Sequence, residues 1–160
     1  MNVNLKRLTR SAVLLAMAIV FQILKVGGQL VTGSGVNAVL LIAASTCGAG
    51  WAVMIGVLTP LFAMWLGVLK QPVFVLVPFI IAGNVIYVLL NSFVGRHNKY
   101  IGLAAAAAAK FALLYSAVTY FLKVPAPIKL AMGLPQLYTA LIGGALALVI
   151  LRLIPDVENK

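Results

Sequence analysis

Few side chains in these 160 residues could do chemistry, and Lys110 stands first among them. It lies nine residues into the apolar run 101–122, hence ~14 Å deep at the helical rise of about 1.5 Å per residue. On insertion scales a lysine at that depth costs at least ~2.5–3.5 kcal/mol. A partner for the ammonium would lower the cost. Yet no Asp or Glu occurs from Met1 to Pro155, and the only acids are Asp156 and Glu158. Two uses of the lysine fit. One is an amine turned into a water-filled pocket, its counter-charge brought by a ligand or a bound anion, or by nothing if the amine is neutral. The other is a lysine whose stem snorkels to an interface. Nearly half a membrane is too far to snorkel comfortably, which favours the pocket.

Asn84 lies twelve residues into the run 72–94 and reaches a similar depth. It and Lys110 can therefore share a site, although an asparagine also serves as a plain interhelical hydrogen-bonding group. Asn37 opens a run after a Gly-rich stretch, Gln136 opens the last run, and Tyr115, Thr119 and Tyr138 fall in the same outer half. A polar, aromatic outer half over an aliphatic inner half describes a cup, not a channel. Lys110, Asn84, Asn37, Gln136, Tyr115 and Tyr138 are the candidate ligand-binding residues. Tyr100 and Trp51 read instead as interface anchors.

Absences narrow the chemistry. No G-x-x-x-x-G-K-[ST] loop is present, so the chain does not drive transport with its own ATP. It has no membrane carboxylate for a proton relay, unlike multidrug transporters of similar size. His97 is the single histidine and Cys47 the single cysteine. No metal site, acid–base pair or intrachain disulfide can be assembled from them. Neither catalysis nor a cofactor is expected.

The elements that must carry these residues follow from composition. Hydrophobic residues make up 64% of the chain and charged ones 9%, with a mean hydropathy of +1.14. A soluble domain is roughly 45–50% apolar and about 25% charged. This chain belongs in a bilayer, which excludes a soluble enzyme, a disordered tail and a disulfide-stapled secreted domain. A crossing helix needs about 20 apolar residues. The apolar runs are 8–24, 36–69, 72–94, 101–122 and 135–154. The first lacks a convincing cleavage site and is followed by more spans, so it is a helix and not a signal peptide. Run 36–69 is too long for one span, and Gly48-Ala49-Gly50 divides it, with a third helix starting at Trp51. The stretch Gly27-Gly28-Gln29-Leu30-Val31-Thr32-Gly33-Ser34-Gly35 is expected to be a loop. The six alanines at 104–109 mark helix five as central and closely packed. Pro60 and Pro78 fall inside helices three and four, where neighbouring protein or a cavity must satisfy the backbone groups they free.

The net charge of +10 sits singly between apolar runs, as membrane-flanking charge does, and marks no nucleic-acid face. With six spans and the N-terminus inside, Lys6, Arg7, Arg10, Arg96, Lys99, Arg152 and Lys160 fall on the cytoplasmic side, and Lys25, Lys70, Lys123 and Lys129 outside. Five spans would erase that bias. The positive-inside rule therefore selects an all-α integral membrane protein of six transmembrane helices, with both termini cytoplasmic and the whole chain one domain.

A small six-helix protein with a basic start and a pocket, but no engine, resembles the substrate-binding S component of an energy-coupling factor (ECF) transporter. Ala12-Val13-Leu14-Leu15-Ala16 matches that family's Ala-x-x-x-Ala motif, Val36-Asn37-Ala38-Val39-Leu40-Leu41 after the Gly-rich stretch is similar to its second helix and lid loop, and Pro78-Phe79-Ile80-Ile81-Ala82-Gly83-Asn84 is similar to a stretch of its vitamin-type members. The resemblance implies a bacterial cell-membrane subunit that captures a vitamin or precursor from outside. Its partners would be a transmembrane EcfT subunit, docked through Ala12 and Ala16, and two cytoplasmic ATPases. Nickel and cobalt members carry His directly after Met1; Asn2 stands here, so metal is not expected. A cationic ligand would need a pocket carboxylate, which leaves neutral or anionic organic ligands. A ligand-free assembly protein and a stand-alone facilitator are the competing readings.

Overall fold

Backbone N–H and C=O groups inside hydrocarbon must be satisfied within the protein, and helices do this residue by residue. Every described apolar run is helical. The structure, a computed structural model, describes residues 3–24, 28–69 and 71–154. Asn2, Lys25, Gly27, Lys70, Asp156, Glu158 and Lys160, which entered the charge, loop and metal arguments, lie outside the described residues.

The helices are α1 (Val3–Leu24), α2 (Gly28–Thr46), α3 (Ala49–Trp65), α4 (Val77–Val94), α5 (Lys99–Ser116), α6 (Ala126–Ala131) and α7 (Leu134–Leu153). A 3-10 turn at Val73–Leu76 leads into α4, and a π-helical turn at Ala117–Phe121 continues α5. Five stretches are long and apolar enough to cross a membrane: Asn4–Leu24, Gly28–Thr46, Val73–Val94, Lys99–Phe121 and Ala126–Leu153. α3 is equally apolar but only 17 residues long. The chain is an all-helical, multi-pass membrane protein; among the described residues there is no strand. Large apolar side chains such as Val13, Met17, Phe93, Tyr120, Phe121, Val149 and Leu153 stand on the outside. Lipid covers such a surface without penalty, whereas water would not tolerate patches of that extent.

Three sequence expectations change. Residues 28–36 are not a loop but the first turns of α2. Gly33 and Gly35 are there for proximity: a Cβ on Gly33 would lie 2.9 Å from the Thr139 side chain, and one on Gly35 2.7 Å from the Phe21 ring. Of the described glycines in this stretch, Gly28 alone uses the left-handed region, at φ +69°. The central helix is α2, buried from Ser34 to Leu41 between α1, α3, α4 and α7. In α5 only Ala106 and Ala107 of the alanine run are buried. Pro78 lies in the first turn of α4, where a missing N–H costs nothing, and not in its interior.

Close helix approach holds the bundle. A Cβ on Gly143 of α7 would fall 2.7 Å from Asn37 Cβ, so α7 lies against α2 at the level of that asparagine. A Cβ on Gly102 would fall 2.6 Å from Gly95 Cα, which lets α5 start close beside the end of α4. The main core joins Val39, Leu40, Ile55, Tyr87, Val88 and Ala140. A smaller one, Leu76, Leu114, Val118 and Met132, lies under α6.

Candidate functional site

Lys110 is 4% exposed, and its ammonium donates to Asn37 Oδ1 at 2.6 Å and to Asn84 Oδ1 at 2.8 Å. Three helices, α2, α4 and α5, thus meet at one cation. Nζ also lies 5.2 Å from the centroid of the Tyr87 ring, whose negative face attracts it. Gly83 makes room for the lysine stem: a Cβ there would approach Lys110 Cγ at 3.3 Å.

The orientation of Asn84 traces to a proline one helix away. Pro60 has no N–H, so the carbonyl four residues earlier, that of Gly56, loses its helical donor. Asn84 Nδ2 donates to Gly56 O at 2.9 Å, which turns Oδ1 toward the ammonium. The demand that Pro60 placed on its surroundings is met by a residue of the site. Tyr87, one turn beyond Asn84, is anchored too, its hydroxyl donating to Ala140 O at 2.7 Å.

Lys110, Asn37 and Asn84 form the floor of a cavity of about 380 Å³, within the usual range of a few hundred Å³ for small-molecule sites. α2 contributes Gln29, Thr32, Gly33, Val36 and Asn37, a single helical stripe. Pro60, Val73, Ile80 and Met132 supply apolar wall, and Gln22 and Gln136 more polar groups. α6 covers one side: Gln29 Nε2 donates to Ala131 O at 2.6 Å, and Gln136 Nε2 approaches the same carbonyl at 3.4 Å. Asn37 Nδ2 has no hydrogen-bond partner among the described residues. The floor therefore offers donors, and the glutamine side-chain oxygens near α6 offer acceptors.

Of the residues singled out from sequence, Lys110, Asn37, Asn84 and Gln136 line this cavity. Asn37 is not at a helix start near the mouth; nine residues of α2 precede it, so it meets Lys110 in mid-bundle. Tyr115 and Tyr138 lie outside the lining, on outer faces at 43% and 52% exposure, and Tyr115 stacks on Phe111. Thr119 is in the π-helical turn and also away from the cavity. Gln22, Gln29, Thr32 and Tyr87 went unnoticed in the sequence. The signal for two of them was the spacing 29, 32, 33, 36, 37, legible once residue 28 is taken as the helix start. Ala12 and Ala16 are exposed on α1, whose buried face carries Ser11 and Ala18. Among the described residues no cluster of His, Cys, Asp or Glu could hold a metal ion.

The sequence from residue 6 to residue 155 matches the family model described as ECF transporter, substrate-specific component. No curated protein and no solved structure matches the chain. The family match runs from the first turns of α1 to beyond the end of α7 and covers the whole cavity lining, and the chain belongs to the substrate-specific components of ECF transporters.

Proposed function

We infer that this subunit captures a small neutral or anionic organic molecule, a vitamin or vitamin precursor, in the cavity floored by Lys110. In this reading α1 to α5 and α7 all cross the membrane, both termini face the cytoplasm, and the α6 end of the bundle opens to the outside. An EcfT subunit and two ATPases would then supply the energy for uptake. One observation carries the ligand class: a buried ammonium faces a cavity in a chain whose membrane segments contain no carboxylate. The amide oxygens of Asn37 and Asn84 accept hydrogen bonds from Lys110 but do not neutralise it. A carboxylate or another strong acceptor on the ligand would complete the set, held by Lys110 and the unpaired Asn37 amide, with Gln136 nearer α6. Tyr115 and Tyr138, being on outer faces, fit aromatic contact with the interface better than contact with the ligand.

Native mass spectrometry of the purified protein should reveal a co-purifying small acid or neutral polar molecule. Lys110→Met, which keeps length and removes charge, should weaken its binding by about 2–5 kcal/mol in calorimetry. Unchanged affinity would remove Lys110 from the site. The two Asn–Lys110 hydrogen bonds favour one second reading, a purely structural bracket tying α2, α4 and α5. That reading predicts that Lys110→Met unfolds the protein more readily and that no ligand is found.

A further inference from the structure

At the opposite end of the bundle from α6 lies a second cavity of about 630 Å³. It is formed where α2 turns into α3, where α4 ends and α5 begins, and where α7 ends. Arg96 and Arg152 line it, together with Ser45, Asn91, Ser92 and Tyr100. Arg152 Nη2 donates to the Tyr100 hydroxyl at 2.6 Å. That hydroxyl, accepting from Arg152, keeps its own proton for another acceptor. Arg96 makes no hydrogen bond or ion pair among the described residues, and none of those residues is an Asp or Glu. A guanidinium fork is matched to the paired oxygens of a carboxylate or phosphate. Gly95 and Gly102, by closing α4 on α5, set the turn that carries Arg96 beside the cavity.

The end of a membrane helix bundle lies at headgroup level, and the oxyanion most concentrated there is phosphate. We propose that this cavity binds the phosphate group of an anionic phospholipid headgroup, clasped by Arg96 and Arg152 with Tyr100 and Ser92 as further donors. The site is separate from the Lys110 cavity and stands whether or not that cavity captures a vitamin. Its ligand is part of the membrane and not cargo.

Delipidated protein in detergent, titrated with phosphatidylglycerol or phosphatidylcholine and followed by native mass spectrometry, tests this. Phosphatidylglycerol should be retained in preference to phosphatidylcholine, and Arg96→Gln/Arg152→Gln should weaken that retention at least about tenfold. Lys6→Gln/Arg7→Gln, which removes two charges from the first turns of α1 outside the cavity, should leave it unchanged. In a parallel arm inorganic phosphate is added to the same samples during thermal unfolding. Stabilisation by phosphate that the arginine variant loses, without preference between the lipids, keeps the phosphate site and assigns it to the free anion. Absence of both effects, or an arginine double variant that binds like wild type, overturns the proposal. Should the double variant fail to fold, Arg96→Lys, which keeps the charge but loses the fork, must weaken retention on its own.

Discussion

The side chains of the candidate site are held by a backbone irregularity as well as by one another. Pro60 frees the Gly56 carbonyl, that carbonyl orients Asn84, and Asn84 receives the ammonium of Lys110. This chain of dependence makes Pro60 a positioning residue although it also touches the cavity. Pro60→Ala restores an N–H that competes with Asn84 for Gly56 O. Ligand affinity should fall by about 1 kcal/mol, the net value of one hydrogen bond, while resistance to unfolding stays level or rises, since the helix gains a donor. Calorimetry alongside denaturant unfolding checks both halves. An affinity equal to wild type would show that Lys110 alone orients Asn84.

Among the elements, glycine separates contacts that matter from those that do not. Gly143→Leu must push its side chain into Asn37 and the α2 backbone. It should destabilise the fold by about 1–3 kcal/mol as overpacking does, and loosen the cavity floor with it. Gly50→Ala, at a position with no atom within 4 Å of the new Cβ, should be neutral or add up to about 1 kcal/mol. Equal effects of the two in thermal unfolding would mean that the α2–α7 approach is not what holds the bundle. On α1 Ala12 and Ala16 face outward, so Ala12→Trp and Ala16→Trp fill no internal space. Each should fold and keep its ligand yet fail to co-purify with EcfT. Loss of folding instead would return that face to internal packing.

At the scale of the molecule, the bundle has an apolar girdle and two unlike ends. One end carries the Lys110 cavity under α6, the other the arginine-lined cavity. α6 is short, touches mainly α7, and its Ala131 carbonyl accepts from Gln29 and, at longer range, from Gln136. Segments with so few buried contacts open at low free energy. Ligand in the cavity should therefore slow amide hydrogen exchange in α6 and the first turns of α2, and leave the arginine-lined end unchanged. Exchange at α6 that is the same with and without ligand would make it a fixed cover.

Composition alone determined the medium, and hydrophobic runs where the long helices fall, because a bilayer forces each apolar stretch to satisfy its own backbone. Lys110 and Asn84 were legible as partners for the same reason: a polar group at mid-depth has few places to turn. The Gly-rich stretch misled, since glycine weakens a helix in water but permits close packing between helices, and which effect wins depends on Phe21 and Thr139 standing opposite it. That error displaced Asn37 by half a helix and hid Gln29 and Thr32. Tyr115 and Tyr138 shared the right half of the protein with the site, but the side of a helix they occupy is set by rotation against neighbours, which uniform hydrophobicity does not encode. The pairing of Pro60 with Asn84, and of Tyr87 with Ala140, depends on which helices touch. Those contacts join residues far apart in the chain, and only the tertiary structure decided them.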